Sequence, residues 1–429
     1  MFRLTVAVPI SMTRNVALFL LGCSLLLSPP AWGGAGDLLW EDEVVASPNS
    51  VALTIAAQDG RVFAAGEVRL DVDTFDFLLR AYEAKTGELL WSDRGTGLFS
   101  GVAAAAGRVF ANGTNVVGPN HTRPGFFLRA YKGNQGQLLW ETSGSDSLWS
   151  IAATKSTLFV VGSNQNEFLV RAYAANTGVI LWEDRVQGQG LFIAEANDRV
   201  IAGGRSATND FLLRAYDGRT GALLWEDETI NVLFAVASDG RRVFAAGSTD
   251  SFLSDWLVRT YDATDDTLLW EDLAGDLAPD QICRPPRDPV PCNDIAFATD
   301  PGAGRLFVAG TSQNPATGGT GTVIRAYKAE TGALVWEDRR TSTLAVPQII
   351  GIQAQGRQVF TVTRCCQGFD RTLDFRLRAY DAKTGVVDWE DQISGFPLDL
   401  TVESGRVFTA GGAGPDPESS FLIRAYDAR

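Results

Sequence analysis

Cys365 and Cys366 stand side by side in the stretch RCCQGFD, and adjacent thiols of an exported protein can pair with each other or with distant cysteines. Cys283 and Cys292 flank a Pro- and Arg-rich segment. A disulfide between them would close a loop of about ten residues and stabilise the chain by about 2–3 kcal/mol. With Cys23 set aside, these four cysteines allow three pairings, and spacing does not choose among them. Other chemistry has less to draw on. His121 is the only histidine, which nearly excludes histidine-based catalysis and multi-histidine metal sites. Lying in a Gly- and Pro-rich stretch, it reads as a solvated surface residue. Serines and acids are plentiful, yet none forms a nucleophile, base and orienter pattern. No Gly-rich phosphate loop follows a strand and opens a helix. No catalytic residue and no metal ligand set is assigned.

The elements that carry these residues follow a repeat. Tryptophans recur at Trp40, Trp91, Trp140, Trp182, Trp225, Trp270, Trp336 and Trp389, at spacings of 42 to 66 residues. Eight arginines of a RAY-type phrase accompany them, from Arg80 to Arg424. One period, 231–272, shows the content: NVLFAVAS, a DGR turn, RVFAAG, then WLVRTYDA and TLLWED. Short β-rich runs broken by Gly or Asp turns predict antiparallel sheet. Four strands per period of this length mark a propeller blade. The last copy, RAYDAR, stops before its tryptophan, while GDLLWED at 36–42 has a tryptophan and no preceding phrase. Joined, they restore the repeat. The expected fold is therefore all-β, an eight-bladed propeller whose ring is closed by an N-terminal strand pairing with the C-terminal blade, which leaves no open edge.

Residues 1–33 read as a signal peptide. Arg3 and Arg14 precede an apolar run from Val16 to Leu27, then Pro29-Pro30 and Ala31-Trp32-Gly33. A run of about 12 apolar residues is too short to span a bilayer. Cleavage after Gly33 gives a mature propeller at 34–429, exported to the periplasm or beyond; lipidation of Cys23, in LLGC, is the rival reading. The net charge is −14, and a chain cut after Gly33 loses two arginines and no acid, leaving −16. Phosphate backbones and anionic membranes need clustered Lys and Arg, so no nucleic-acid partner is expected. The acidic surface itself reads as solubilising, and a monomer is expected.

The hairpin between third and fourth strands is the most specific feature. The run Ala379-x-Asp381-x-x-Thr384-Gly385-x-x-x-Trp389 resembles the docking motif of the pyrroloquinoline-quinone (PQQ)-type β-propeller repeat. Ala81 to Trp91, Ala215 to Trp225 and Ala326 to Trp336 match it, with Glu83 and Lys328 at the acidic position. Lys132 with Gln135, Ala174, and Thr260 with Asp265-Asp266 depart from it. The resemblance covers essentially all of 37–429 and implies that each tryptophan docks against the neighbouring blade. Cys365-Cys366 is also similar to the adjacent-cysteine disulfide of quinone-dependent alcohol dehydrogenases, which stacks on their cofactor. That implies PQQ with calcium as an alternative, although no Glu/Asn/Asp calcium set maps onto the chain. The structural readings of the pair, a stiffened loop or links to Cys283 and Cys292, stand beside it.

In a propeller the turns between first and second strands share a face with those between third and fourth. Here those turns are minimal. The long segments 112–125, 274–292, 311–321 and 364–370 all fall on the opposite face, where binding is expected. The arginines and the WED acids are expected to form cross-strand ion pairs. The functional expectation is a non-catalytic exported scaffold binding a protein or other ligand through the long-loop face. The alternatives are a PQQ- and calcium-dependent alcohol or sugar dehydrogenase, and an assembly factor similar to the propeller lipoprotein of the outer-membrane β-barrel assembly machinery.

Overall fold

The computed structural model describes residues 34–44, 50–70, 75–114, 125–229, 232–249, 255–274, 295–313, 320–341, 348–367, 372–413 and 419–429. Residues 1–33, expected to be a signal peptide, with Cys23 among them, and His121, Cys283 and Cys292 lie outside them. The described residues form strands and turns with no helix, so no helix among them is long and apolar enough to cross a membrane.

The sheet Val51–Gln58, Arg61–Arg69, Phe75–Glu83 and Leu89–Thr96 shows how sequence becomes structure. Neighbouring strands pair antiparallel in chain order. Asp59 and Gly60 both take positive φ, 52° and 73°, as a two-residue hairpin requires. The second and third strands are buried almost throughout, because both of their faces meet neighbouring sheets. The outer strand alternates between exposed and half-buried positions with the period of two of a one-sided strand. Its first strand is bulged between Ala52 and Thr54, and the other first strands are bulged at the matching place, as at Phe99/Gly101 and Pro397/Asp399. A bulge there increases the local twist.

Seven sheets of this kind make up a β-propeller: six of four strands and one of seven. The core is divided among the spaces between sheets. Val62, Ala64, Leu78 and Tyr82 pack with Phe408, Phe421 and Ile423; Phe63 and Phe77 pack with Phe99 and Phe127. First strands touch first strands: Phe396–Glu403 lies against both Gln348–Gln355 and Val51–Gln58, and Val51–Gln58 also against Leu98–Ala105.

Two features concern how repeats join. Leu38–Val44 pairs antiparallel with Ser420–Asp427, setting Glu41 opposite Arg424 and Val44 opposite Phe421. The other is a difference from the repeat pattern, which separates the outer strand of one period from the first strand of the next. Ile180–Ala196 is instead one strand, pairing with Glu167–Ala174 as far as Gln187 and with Arg199–Ser206 from Gly188 onward. Gly188 allows this: its φ is 139°, and a Cβ there would lie 2.2 Å from the Arg205 carbonyl oxygen.

Candidate functional site

The eight tryptophans sit on outer strands. Trp182 stacks on Tyr216 of the next repeat, with centroids 5.7 Å apart, and its indole nitrogen donates to the Gly218 carbonyl at 2.9 Å. Gly221, at φ 75°, closes the turn against the ring; a Cβ there would stand 2.6 Å from Trp182 Cδ2. Trp40, Trp91, Trp140, Trp225, Trp270 and Trp336 donate in the same way to Ala84, Gly133, Ala175, Ala263, Ala329 and Ala382. Trp389 stacks on Tyr426, but its buried indole nitrogen has no partner.

The acids after each tryptophan divide their work. The Glu pairs with the arginine of its own sheet, as in Arg325–Glu337 at 2.7 Å and Arg129–Glu141 at 2.5 Å. The Asp accepts from the tyrosine hydroxyl of the next sheet, as in Tyr131–Asp93, Tyr261–Asp227 and Tyr327–Asp272, each at 2.6 Å. Cross-strand pairs were legible in sequence; the tyrosine contact between sheets was not. Three repeats depart from the rule: Ser92 stands at the Glu position after Trp91, the Tyr426 hydroxyl has no hydrogen-bond partner, and Trp140 is followed by Glu141 and Thr142. Thr142 occupies the Asp position, and Asp146 takes over from a different strand end. It accepts from Arg171 at 2.8 Å, Arg185 at 3.0 Å and Asn164 at 3.0 Å. Burial works against its charge, yet the two guanidiniums prevail and hold the carboxyl below its usual range. The short-turn face is held by the tryptophan packing, whereas the Asp146 cluster sits at the other end of the strands, in the connection between Leu138–Gly144 and Ser147–Ala153.

On the opposite face the described residues form a polar pocket of about 420 Å³. Three short segments build it: the hairpin end at Asn166, the continuous strand at Gln187, Gly188 and Gln189, and the turn Arg205, Ser206, Ala207 and Asn209. Gln165 and Asn166 take φ of 47° and 72°, and Asn209 of 69°. Among the described residues these are the only non-glycine positive-φ positions on this face; the others lie in the turns opposite. Such geometry costs on the order of 1 kcal/mol per residue and concentrates at functional sites. Gly188 N donates to the Asn166 carbonyl at 2.6 Å, and Arg205 Nη1 to Asn209 Oδ1 at 3.2 Å. Sequence reasoning missed these residues because it weighed loop length; the repeated glutamines and glycines of VQGQG were the available signal.

Two carboxylates bridge adjacent first strands. Asp399 accepts from Ile55 N at 2.9 Å and Thr54 Oγ1 at 3.1 Å, and Asp300 from Ala354 N at 2.6 Å. Burial pushes each carboxyl up to about 6, against those hydrogen bonds.

Cys365 and Cys366 lie in the second strand Gln358–Gln367, opposite Asp374 and Leu373. That places them one strand outward from the first strand of their sheet. Among the described residues no group of three or more His, Cys, Asp or Glu is gathered to hold a metal ion.

A family model described as outer membrane protein assembly factor BamB matches residues 32–166, 124–255 and 254–413. The chain belongs to this PQQ-type propeller family. Several solved structures share the fold of this PQQ-type propeller at low identity. Sqt1 of Saccharomyces cerevisiae aligns with a TM-score of 0.60 at 11% identity, covering 91% of this chain and 99% of that one. The quinohemoprotein alcohol dehydrogenase ADHIIG of Pseudomonas putida HK5 gives 0.59 at 13%, covering 91% and 76%. A europium-containing methanol dehydrogenase gives 0.56 at 12%, covering 91% and 93%. No curated protein matches the chain.

Proposed function

We propose that this PQQ-type propeller is an exported, non-catalytic scaffold that binds a protein partner through the face of the longer connections. The observation that carries the reading is the contrast between faces. One is closed by minimal turns, those after the third strands locked to tryptophans, while at the other the described strand ends are joined by the longer stretches of sequence and border the polar pocket. The family description, an outer-membrane protein assembly factor, favours a protein partner. We further propose eight blades in a closed ring, with Leu38–Val44 as the outer strand of the last; the register with Ser420–Asp427 and the contact of Phe396–Glu403 with Val51–Gln58 support this. The test is genetic. Loss of the protein should lower folded outer-membrane β-barrels, and the wild-type chain should restore them, whereas a chain with 275–294 replaced by a short Gly-Ser linker should not. Full rescue by that chain would count against a partner on this face.

A second reading, a quinone-dependent dehydrogenase, is favoured by the Cys365-Cys366 dipeptide on a strand that ends at the same face. Among the described residues no group of three or more His, Cys, Asp or Glu is gathered that could hold the calcium ion such a quinone would use. Titration with PQQ and calcium, read by tryptophan fluorescence and dye-linked alcohol oxidation, separates the readings: saturable quenching with turnover supports the enzyme.

A further inference from the structure

The pocket at Asn166, Gln187, Gln189, Arg205 and Asn209 has a chemistry of its own. Its volume of about 420 Å³ falls within the range of small-molecule sites, about 300–1,000 Å³. Four of its lining side chains are amides, each with donors and an acceptor on one plane, which suits hydroxyl groups that also donate and accept. Ala207 is the one apolar side chain in the lining, so an apolar anchor has little to grip. Arg205 is the one charged lining residue, half-buried, and makes no ion pair with any described residue. Its bond to neutral Asn209 leaves donors of the guanidinium fork available for a carboxylate.

The acids bordering the pocket are otherwise engaged. Glu167 pairs with Arg185 at 3.2 Å, and Asp210 accepts from Thr208 Oγ1. A chain of net charge −14 repels anions generally, so a place for one has to be built locally. Trp149, 47% exposed, adds a flat apolar surface at the same end of the same seven-stranded sheet, its indole nitrogen bonded to Ser163 of the hairpin that supplies Asn166.

We propose that this pocket binds a carboxylated sugar, its hydroxyls held by the amides and its carboxylate by Arg205. The proposal rests on the reading of this face as the binding face and names a ligand class for it. The experiment is calorimetric titration of the full mature chain with tetragalacturonate, tetramannuronate, N-acetylneuraminate, neutral maltotetraose and the tripeptide Gly-Gly-Gly. At least one carboxylated sugar should bind, with maltotetraose and the tripeptide at least tenfold weaker. Arg205→Gln should weaken binding tenfold or more, and Gln187→Ala should also weaken it. Each variant should melt as the wild type does, since both side chains border solvent. The proposal is overturned if no carboxylated sugar binds, if the neutral sugar or the peptide binds equally well, or if Arg205→Gln leaves affinity unchanged. Sugar binding through Arg205 together with full rescue by the 275–294 replacement would keep this inference and remove the protein partner.

Discussion

The unpartnered indole of Trp389 allows the tryptophan contacts to be dissected. Trp182 and Trp389 are both half-buried on outer strands and stacked on a tyrosine of the next repeat, at 5.7 Å with 26° between planes and at 6.4 Å with 24°. They differ in one bond: Trp182 donates to the Gly218 carbonyl, and Trp389 donates to nothing. Replacing either by Phe removes a similar amount of ring surface and stacking. Only at Trp182 does it also remove a hydrogen bond, worth about 1 kcal/mol net, and leave a carbonyl unpaired at a cost of about 1–3 kcal/mol if that carbonyl stays dry. Trp182→Phe should therefore cost about 1–2 kcal/mol more than Trp389→Phe. Urea unfolding of the two variants beside wild type, compared by midpoint at constant slope, measures the difference. A Trp389→Phe cost equal to or greater than that of Trp182→Phe would refute the assignment of energy to the indole bond.

Other outcomes follow from the same contacts. Gly221→Ala should destabilise by about 2–4 kcal/mol, from the positive φ and the ring contact together; an unchanged melting temperature would contradict this. Asp146→Asn should cost about 3–5 kcal/mol by leaving buried Arg171 short of counter-charge, and Thr142→Asp should recover part of it; chemical denaturation of the single and double variants shows whether it does. Because Asp399 has a folded-state value of about 6, above the ordinary 3.8, folding favours its protonated form. The resulting stability is full below about pH 4 and is lost as pH rises through about 6. Asp399→Asn should flatten the stability profile between those values, and an unaltered slope would show that the group titrates normally. Deleting 36–42 should leave Ser420–Asp427 as an open edge and produce dimers or larger species in light scattering; a monodisperse monomer of wild-type stability would remove the role given to that strand.

The fold was legible because its determinants are local and repeated. A Thr-Gly turn and a tryptophan at fixed spacing specify one hairpin, and copying it specifies the sheets. What stayed hidden depends on relations between repeats. The Tyr131–Asp93 bond joins side chains 38 residues apart, a separation that carries no pattern within one period. The replacement of the Thr142 position by Asp146 shifts an acid onto a different strand end, where a repeat alignment sees a loss. The pocket was hidden for another reason. Its residues lie in the tightest connections of their face, where Asn166 and Asn209 hold positive φ, while the sequence drew attention to the longest ones. The cysteines remain an expectation: Cys365 and Cys366 are placed on a strand, and Cys283 and Cys292 are not among the described residues.

The pairing of Leu38–Val44 with Ser420–Asp427 also sets an order of events. Glu41 and Arg424 are 383 positions apart, and closing a flexible loop of that size costs about 5 kcal/mol plus a constant. Sheets formed from adjacent residues bear almost none of that cost, and as they stack they bring the two ends together. In the closed ring proposed above, the terminal sheet would be a latch that engages last, after the intervening sheets have assembled.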